Sequence, residues 1–479
     1  MTKKTKIIAT IGPASESAER IELLIQSGVN LFRFNLKHNN YDWHKEVMAR
    51  VRKTAKALNA NIGILADLQG PELRIGQFST GNAKETFELD QIVYISKTLE
   101  NAKKRKELTI EFPKLDLVDG LEKNSLIMID DGKAVFRVLE VYPNELKTSV
   151  EDGEILGTRK SVTIPNANIN VPTLMEKDLA DVEFSIKQDV DFLALSFVRD
   201  RADIIALKDL IKEHKGKQQI IAKIETAKSI ENMSEIIEEV DAVMVARGDL
   251  GIEIPIEKVP SVQEYLINLC REKAKPVIVA TQMLLSMVEN PIPSRAEVSD
   301  IAHSVSQGTD CLMLSEETTT GKHPVKAVGS MAKIARYNET RLYKEEISYD
   351  IKSFEDVIID SAKNFSQLKN ENIASEELVG YIVFTESGKS ARLLSRYRPN
   401  LPIFVFTTHE HVYHQLSLSY GITAFNLKLE KNPVTNIKNA LEILKSSNLI
   451  SKNDKLLAVF GNNVGEPGGN NSLSVIEVD

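Results

Sequence analysis

Four polar residues lie close together where an apolar stretch near the start of the chain ends. In FRFNLKH, residues 32–38, these are Arg33, Asn35, Lys37 and His38. Such side chains can bind anions or cations if they line a site, but a charged residue at a strand end is more often a solvated residue of the rim. The choice between the two interpretations depends on what the rest of the chain brings to the same place.

Two carboxylates in the segments AKIET (222–226) and VARGDLG (245–251) have the spacing of a metal site. Glu225 and Asp249 follow adjacent predicted strands, so both can reach one hard cation, Mg²⁺ or Mn²⁺, and leave positions open for substrate oxygens and water. Lys223 lies on the same side of its strand as Glu225, where its ammonium can meet a phosphoryl group or a developing enolate. The alternative is that the two acids are unrelated surface residues.

Two glycine-containing segments offer donors to anions. Gly248 lets the backbone approach a ligand closely, so amide groups of the following residues can hold a carboxylate. TESGKSAR, residues 385–392, lies between a predicted strand and a predicted helix, where Lys389 and nearby hydroxyl and amide groups can hold a phosphate. It is not a P-loop, because Val383 occupies the position of the first glycine. A plain serine-capped helix start is the alternative.

Eight short apolar segments alternate with helix-periodic segments and would have to position these residues. The predicted strands are residues 5–11, 30–34, 62–67, 192–197, 219–224, 242–246, 276–281 and 311–315. Each is apolar on both faces and is followed by a helical pattern, which predicts an α/β fold with a closed parallel (β/α)8 TIM barrel. A doubly wound open sheet is the structural alternative.

Two other parts of the chain depart from this alternation. Residues 71–169 read as alternating β segments, with Asp131-Gly132 and Pro143-Asn144 as hairpin turns. We therefore expect an inserted β domain over the barrel mouth, where it can act as a lid. Residues 344–479 predict a C-terminal α/β domain, which leaves 1–70 and 170–343 for the barrel.

Polar residues follow seven of the eight predicted barrel strands. They are Arg33 and Asn35, Asp67, Ser196 and Arg199, Lys223 and Glu225, Arg247 and Asp249, Thr281 and Gln282, and Ser315 and Glu317. The carboxyl ends of barrel strands converge on one mouth, so these groups should meet there. So many charges of both signs indicate a site for a charged substrate and a metal.

The overall composition excludes some classes of function. The 479 residues carry a net charge of −8, which argues against nucleic acid as a partner. No apolar run has membrane length, and the N-terminal apolar stretch is too short for a signal peptide, so we expect a cytoplasmic protein with no membrane partner. Cys270 and Cys311 leave no scope for a disulfide framework and are expected to be core thiols.

The motifs of this chain resemble those of the pyruvate kinase family, in its order and spacing, over essentially the whole length. They are TKIIATIGPAS, ADLQGPELR, LSFVR, AKIE, VMVARGDLGIEIP, ATQML, NPIPSRAEVSDIA and GNNVGEPGGNNSL. The resemblance implies phosphoryl transfer from phosphoenolpyruvate to ADP, giving pyruvate and ATP, with Mg²⁺ and a monovalent cation, commonly K⁺. It also implies an inserted β-barrel lid domain and an effector-binding C-terminal domain. A catalytically weak paralogue, kept as an effector-binding or scaffolding subunit, is the alternative.

The resemblance further implies roles for individual residues. Arg33 and Lys223 would meet the phosphoryl group, and Glu225 and Asp249 would bind Mg²⁺. Gly248, Asp249 and Thr281 would hold the substrate carboxylate, with Thr281 also tied to enolate protonation. The remaining positions are Asn35, His38, Arg74 and Lys177 for the nucleotide, Asn35, Asp67 and the Leu68 carbonyl for the monovalent cation, and Thr385, Ser387, Gly388, Lys389 and Ser390 for a phosphorylated effector. The usual assembly of the family is a homotetramer.

Some positions differ from the family pattern. Lys37 and Asn39 replace Ser and Gly, Leu285 replaces an acidic residue, and Glu316 adds a carboxylate near the predicted metal site. Because a lysine ammonium can pair with a carboxylate as a bound cation would, we hypothesise that Lys37 replaces K⁺. The alternative is that Lys37 points to solvent, and Glu72 matches the K⁺-dependent form of the family.

Overall fold

The computed structural model describes residues 3–153, 155–165, 167–340, 348–367, 378–461 and 469–479, without the side chains of residues 104, 168 and 169. Eight parallel strands close into a barrel in the order β1-β18-β17-β16-β15-β14-β3-β2. These strands are β1 (Lys6–Thr10), β2 (Leu31–Asn35), β3 (Gly63–Asp67), β14 (Phe192–Leu195), β15 (Gln219–Ile224), β16 (Ala242–Ala246), β17 (Val277–Ala280) and β18 (Cys311–Leu314). The prediction of a (β/α)8 barrel is confirmed.

The barrel closes because its strands are apolar on both faces. Side chains that point inward, such as Ile8, Leu31 and Met244, pack on the barrel axis, and those that point outward pack against the helices. Each strand therefore lies between two apolar layers, which is the arrangement that parallel sheets require. The polar residues begin where the strands end.

Eleven helices surround the barrel or cap its mouth in the described residues. They are α1 (Ala18–Ser27), α2 (Tyr41–Ala57), α3 (Glu176–Lys187), α4 (Arg201–Glu213), α5 (Ala227–Glu231), α6 (Met233–Glu239), α7 (Arg247–Glu253), α8 (Val259–Glu272), α9 (Arg295–Ser306), α10 (Glu316–Thr319) and α11 (Pro324–Glu339). Side chains of Ser17, Asn40 and Asp200 cap the first turns of α1, α2 and α4, as their sequences favour.

The segment between β3 and β14 forms an inserted β unit. Its strands are β4 (Lys84–Thr86), β5 (Ile92–Ser96), β6 (Thr109–Glu111), β7 (Val118–Asp119), β8 (Leu126–Ile129), β9 (Ala134–Tyr142), β10 (Glu145–Asp152), β11 (Ile155–Gly157), β12 (Val162–Thr163) and β13 (Asn168–Ile169). Six of them form one sheet, in the order β12-β8-β9-β10-β5-β6, and the others form two pairs. Residues 73–79 bridge both edges of this sheet, through Arg74 and Ser161 beside β12 and through Phe78 and Ile110 in β6, so the sheet closes into the small barrel that the resemblance implied.

Both predicted hairpin turns of the inserted unit are present. Asp130, Asp131 and Gly132 join β8 to β9 with φ of 56°, 57° and 82°, and Asn144 joins β9 to β10 with φ of 59°. Asp, Asn and Gly are the residues that tolerate this left-handed backbone.

The C-terminal unit is a five-stranded sheet in the order β21-β20-β19-β22-β23. Its elements are α12 (Phe354–Gln367), β19 (Leu378–Phe384), α13 (Lys389–Ser395), β20 (Ile403–Thr407), α14 (Glu410–Gln415), β21 (Ile422–Asn426), α15 (Pro433–Ser446), β22 (Lys455–Phe460) and β23 (Ser472–Glu477). Part of the motif GNNVGEPGGNNSL, residues 462–468, lies outside the described residues.

The C-terminal unit packs against the amino ends of the barrel strands. Leu418 is buried in the inner barrel cluster with Ile8 and Leu31. Arg398 donates to Asp310 Oδ2 at 2.6 Å, immediately before β18. The opposite end of the barrel, towards the inserted unit, stays free for a ligand. None of the helices in the described ranges is long and apolar enough to cross a membrane.

Candidate active site

Asp67, the last residue of β3, is the most closely contacted acid at the barrel mouth. Its Oδ2 accepts from Arg33 Nε at 2.7 Å, and its Oδ1 lies 3.6 Å from Lys223 Nζ. Burial alone would raise the pKa of Asp67, but the charges of Lys223 and Arg33 outweigh burial and hold that pKa below its usual range. Asp67 is therefore an anion that fixes two cations, Arg33 from β2 and Lys223 from β15.

Lys223 is surrounded by acceptors. Its Nζ donates to Ser196 Oγ at 2.7 Å and lies 3.3 Å from Glu225 Oε2. Burial lowers the pKa of Lys223, but the neighbouring carboxylates, Asp67 first, more than compensate and raise it above the ordinary value. The ammonium is thus charged, almost buried and held at the strand ends, as a group that neutralises a phosphoryl oxygen should be.

Glu225 and Asp249 have carboxylate oxygens to spare. Phe197, which has a φ of 55°, donates its backbone N–H to Glu225 Oε1 at 2.6 Å, whereas Oε2 is buried without a hydrogen bond. Burial, together with the charge of Asp249, raises the pKa of Glu225 to about 7, and burial also raises that of Asp249. Among the described residues the Asp249 side chain has no hydrogen-bond or ion-pair partner.

Such a pair fits a divalent cation. The raised pKa values of Glu225 and Asp249 mean that ionising both groups in one cavity carries a cost that the single Lys223 ammonium does not offset and that a bound cation would reduce. The described chain has no cluster of three or more acidic, His or Cys side chains arranged for a metal. A cation held by Glu225 and Asp249 would therefore take its other ligands from water and substrate, as Mg²⁺ does.

A cavity of about 660 Å³ lies between the barrel mouth and the inserted unit. The barrel contributes Glu225 and Asp249, and the inserted unit contributes the hairpin residues Asp130 and Asp131 together with Lys160. The hairpin lies close enough for the charge of Asp131 to help raise the pKa of Asp249. The volume is sufficient for small phosphorylated substrates.

Lys37 is fixed on an acid of the chain that enters the inserted unit. Its Nζ lies 2.9 Å from Glu72 Oε1 and 2.8 Å from Oε2. Arg74 donates to the same carboxylate through Nε at 3.1 Å and through Nη2 at 2.9 Å. Lys37 thus neither points to solvent nor contacts Asp67, and Glu72 joins a barrel lysine to an arginine of the inserted unit.

The three family ligands for a monovalent cation lie side by side. Ser196 Oγ donates to the Leu68 carbonyl at 2.8 Å and also lies 3.4 Å from Asp67 Oδ1. Asn35 Oδ1 accepts from the backbone N–H of Lys37 at 3.2 Å. The structure therefore brings Asn35, Asp67 and Leu68 together, with the backbone of Lys37 beside them and its ammonium on Glu72.

Three of the four predicted nucleotide residues, Asn35, His38 and Lys177, do not line the cavity. Lys177 donates to the Leu36 carbonyl at 2.8 Å and to Asp181 Oδ2 at 2.6 Å, which fixes it to the barrel rim. The carbonyl of His38 lies 2.8 Å from His44 Nε2, and the pKa of the His38 imidazole is lowered by burial and by nearby Lys37. Arg74, by contrast, does line the cavity.

Thr281 has the left-handed backbone that a β-branched residue avoids, with φ of 68°. Its Oγ1 accepts from the Gly248 N–H at 2.8 Å and donates to the Ala280 carbonyl at 2.6 Å. Arg247 holds the Thr281 carbonyl at 2.9 Å. Thr281 and Gly248 are thus in direct contact, although neither lines the cavity beneath the inserted unit. Backbone strain of this kind clusters at functional sites.

The sequence analysis missed the side chains that the inserted unit supplies. Lys160 donates to Asp130 Oδ1 at 3.0 Å, and both line the cavity. The hairpin at Asp131-Gly132 was predicted as a turn, but its place over the mouth depends on tertiary structure. Lys160 follows β11 in a loop whose sequence has no distinctive pattern.

Two family departures lie away from these contacts. Glu316 is exposed at the start of α10 and has no recorded contact with Glu225 or Asp249. The pKa of the neighbouring Glu317 is raised mainly by burial, and the charge of Glu316 adds to that rise. Leu285 has 42% of its surface exposed. Asn39 adopts φ of 62°, the conformation that favours the glycine of the family pattern.

The TESGKS loop is tied to a buried acid of α12. Lys389 Nζ lies 2.9 Å from Glu355 Oε2, and Ser390 donates to Glu355 Oε1. Thr385 Oγ1 accepts from the N–H of Gly388, which has φ of 78° and begins the turn into α13. Ser387 is exposed. The hydroxyls and the ammonium thus lie on one loop, with Glu355 as an internal anion beside them.

Comparison with known proteins gives consistent matches over the chain. A family model described as pyruvate kinase, barrel domain, matches residues 2–328, and one described as pyruvate kinase, alpha/beta domain, matches residues 371–476. The pyruvate kinase of Geobacillus stearothermophilus is 36% identical over 481 residues, with 99% of this chain and 80% of the relative covered. That of Thermococcus litoralis is 35% identical, with 99% and 98% covered. The crystal structure of a pyruvate kinase from Cryptosporidium parvum superposes with a TM-score of 0.92 at 31% identity and covers 100% of this chain and 96% of that one.

The affinity of the metal-free protein for Mn²⁺ should fall about tenfold between pH 8 and pH 6. With a pKa of about 7, Glu225 is mostly ionised at pH 8 and mostly protonated at pH 6, and a cation needs the ionised form. Isothermal calorimetry measures the affinity. Glu225→Gln should bind weakly at both pH values, whereas Glu253→Gln, whose pKa is also raised to about 7, should keep the wild-type pH dependence. Equal wild-type affinity at the two pH values would contradict the assignment.

Proposed function

Because this chain belongs to the pyruvate kinase family, we propose that it transfers the phosphoryl group of phosphoenolpyruvate to ADP through the charge array at its barrel mouth. The chain is a phosphotransferase that makes pyruvate and ATP. The observation that carries the assignment of residues is the contact series from Arg33 to Asp67, Lys223 and Glu225. Phosphoryl transfer passes through a loose transition state, so it needs positioning and positive charge more than covalent catalysis.

The side chains at the mouth divide the substrate between them. Arg33 and Lys223 are assigned to the phosphoryl group, because their contacts with Asp67 hold both charges at the strand ends before substrate arrives. Glu225 and Asp249 are placed to hold Mg²⁺ or Mn²⁺, which when bound neutralises phosphoryl and enolate oxygens. Gly248 and Asp249 lie at the start of α7, where the Asp249 N–H can receive the substrate carboxylate. The Gly248 N–H donates to Thr281 Oγ1 in this structure and would have to exchange that partner for the carboxylate.

Protonation of the enolate is assigned to the environment of Thr281. Its hydroxyl is held between the Gly248 N–H and the Ala280 carbonyl, so its position is fixed before substrate arrives. The same contact aligns Gly248, which we assign to the carboxylate. Thr281 therefore links the carboxylate site to the proton-delivery site.

We assign the nucleotide to the cavity beneath the inserted unit, and propose that residues 71–169 act as a lid. Arg74 and Lys160 come from this unit and line the cavity, and either can meet a phosphate by exchanging its present acid, Glu72 or Asp130. Asn35 and His38 lie on the barrel side of the same region. For Lys177, the contacts with Leu36 and Asp181 favour a supporting role at the rim.

Turnover should depend on Asp249 but not on the exposed acid at the same mouth. In a coupled assay that follows pyruvate from phosphoenolpyruvate, ADP and Mg²⁺, we expect Asp249→Asn to lower kcat at least about 10²-fold, because it weakens the metal site. The matched control Glu316→Gln should remain within about twofold of the unmodified enzyme. No turnover by folded wild-type protein would favour the alternative of a catalytically weak effector-binding subunit, and near-normal activity of Asp249→Asn would remove the metal assignment.

The family generally uses K⁺ with Mg²⁺, and we propose that in this chain Lys37 replaces the monovalent cation. What supports this is the position of Lys37, which lines the cavity and whose backbone N–H donates to Asn35 Oδ1. Its ammonium pairs with Glu72, and its charge lowers the pKa of Asp249. An added K⁺ would bring a second positive charge to a region that Lys37 already neutralises.

Catalysis should therefore not need K⁺. Initial velocity at constant ionic strength should stay within about twofold when K⁺ is replaced by a bulky quaternary ammonium ion, because the charge is built in. Lys37→Ser should lose activity in the quaternary ammonium buffer and recover it with K⁺. Strong activation of the unmodified enzyme by K⁺, or a Lys37→Ser variant whose rate does not change with K⁺, would contradict the proposal.

We also propose that residues 344–479 form an effector-binding domain in which Thr385, Ser387, Gly388, Lys389 and Ser390 hold a phosphorylated metabolite. A phosphate at this loop could replace Glu355 as the partner of Lys389 and Ser390. The alternative of a plain helix cap explains the Thr385–Gly388 contact but not why Lys389 is held beside the loop.

Binding of sugar phosphates or nucleoside monophosphates should depend on Lys389. We expect calorimetry to show binding of at least one such compound, weakened about tenfold or more in Lys389→Ala because a charge-assisted contact is lost. The exposed Lys452 supplies a control, since Lys452→Ala keeps the loop intact. If none of the compounds binds, or if both variants bind alike, the loop is only a helix cap.

A homotetramer in the cytoplasm is the assembly and location that we propose from the family expectation. Large apolar side chains are exposed on the outer face of both the barrel and the C-terminal unit, where a second copy could cover them: Ile256 at 71%, Tyr265 at 54% and Phe354 at 89%. Cys270 and Cys311 are buried free thiols, which accord with a reducing compartment.

A further inference from the structure

One buried carboxylate holds both chain segments that connect the barrel to the inserted unit. Asp178 Oδ1 accepts from the backbone N–H of Gly70 at 3.0 Å, and Oδ2 accepts from that of Met175 at 2.9 Å. Gly70 lies just before the inserted unit and Met175 just after it. The two crossings, more than a hundred residues apart in sequence, are therefore joined by the two oxygens of a single side chain.

Helix capping explains only half of this arrangement. Asp178 is the third residue of α3, and its bond to Met175 completes a capping box with the start of that helix. Capping residues normally lie at the surface, whereas Asp178 is fully buried and has no ion-pair partner in the described chain. Burial raises its pKa, so the carboxylate bears a desolvation cost that a cap alone does not require. The bond to Gly70 is the feature that remains to be explained.

The element that presents Asp178 is fixed to the barrel. In the same turn of α3, Lys177 donates to the Leu36 carbonyl at 2.8 Å and pairs with Asp181 at 2.6 Å. Tyr41, at the start of α2, donates to the other oxygen of Asp181 at 2.6 Å. Asp178 therefore holds the connecting segments from a rigid position on the rim rather than moving with them.

The segment that Asp178 holds leads directly to the proposed site. Gly70 has φ of 70°, and a Cβ there would lie 3.0 Å from that of Ser196, the residue whose hydroxyl contacts both Lys223 and Leu68. Two residues after Gly70, Glu72 receives Lys37 and Arg74. A displacement of Gly70 would therefore disturb Ser196 and the Lys223 ammonium on one side, and Glu72 at the start of the inserted unit on the other.

We propose that Asp178 is a positioning residue that sets the orientation of the inserted unit relative to the metal carboxylates, and through it the affinity for ADP. The proposal rests on the proposed function, in which the barrel binds phosphoenolpyruvate and the lid residues Arg74 and Lys160 bind the nucleotide. Asp178 touches neither substrate. Its substitution should therefore affect the binding of ADP, which contacts the lid residues, more than the binding of phosphoenolpyruvate.

The test compares Asp178→Asn with Glu297→Gln, which alters another capping-box acid that accepts from two backbone segments. Asparagine keeps one acceptor but turns its amide N–H groups towards the second backbone N–H, so one hinge bond is lost. Glu297 is the third residue of α9, where its Oε2 accepts from the Ser294 N–H in a capping box and its Oε1 accepts from the Ser286 N–H at 2.7 Å. Among the described residues it contacts no hinge residue, which makes it the matched control. Hydrogen exchange by mass spectrometry reports the protection of the Gly70 and Met175 amides, and initial rates report the two KM values.

We expect Asp178→Asn to speed exchange in the peptides containing Gly70 or Met175 by at least about tenfold and to raise KM for ADP about tenfold, with KM for phosphoenolpyruvate within about twofold. Glu297→Gln should leave the ratio of the two KM values unchanged. If Asp178→Asn shifts both KM values together, or changes only the thermal midpoint, Asp178 is merely a helix cap.

Hydrogen exchange of the unmodified enzyme tests the proposal independently of any activity measurement. In the unmodified enzyme the amides of Gly70 and Met175 should exchange as slowly as those in the middle of α3, because each is bonded to a buried acceptor. Fast exchange at these two amides would overturn the proposal even if Asp178→Asn failed to fold. If exchange behaves as expected but no pyruvate forms in any variant, the hinge assignment stands and the proposed function fails.

Discussion

The contact on which the rest of the mouth depends is the one between the buried Asp67 carboxylate and the two cations from neighbouring strands, Arg33 and Lys223. Without Asp67 these cations would repel each other in a poorly solvated place; with it, both stay charged and stationary. The same ammonium then lies beside Glu225, whose other neighbours leave one oxygen unbonded. The charges of Arg33 and Lys223 are thus balanced by those of Asp67 and Glu225. The charge of Asp249 is left over, and a further cation would neutralise it. Transfer of a phosphoryl group requires such preorganised charge, because its catalysis consists mainly of positioning the reactants and neutralising the charge on the phosphoryl oxygens.

The inserted unit adds to this array from above. Its hairpin brings Asp131 near Asp249, and its connecting segments carry Glu72 and Arg74 past Lys37. The inserted unit has its own apolar core, so it can move as a body, while its two connections to the barrel are short. The chemistry of the barrel and the placement of the nucleotide are therefore coupled through few groups, of which Glu72 and Asp178 are the most constrained.

The parts of the molecule that could be predicted are those in which sequence period and geometry coincide. A strand that is apolar on both faces and ends in a polar residue places that residue at the mouth of a parallel barrel, so Arg33, Asp67, Lys223, Glu225 and Asp249 could be located from sequence. Long side chains whose partners come from other elements of the fold could not be placed in this way. The resemblance gave Lys177 a nucleotide role, but a carbonyl and an acid hold it at the rim, and Lys160 lines the cavity without any signal in its loop. The partner of Lys37 was equally hidden, because whether a flexible side chain meets Asp67, Glu72 or solvent depends on distances that only the folded hinge sets.

The central claim is that Glu225 and Asp249 keep carboxylate oxygens without hydrogen bonds because together they hold a divalent cation. Anomalous diffraction from crystals grown with Mn²⁺ and a pyruvate analogue tests it most directly. A single peak at bonding distance, about 2.2 Å, from both carboxylates is the result that this structure predicts. A peak elsewhere in the cavity, with the two carboxylates bonded only to protein or water in an enzyme that turns over, would contradict it.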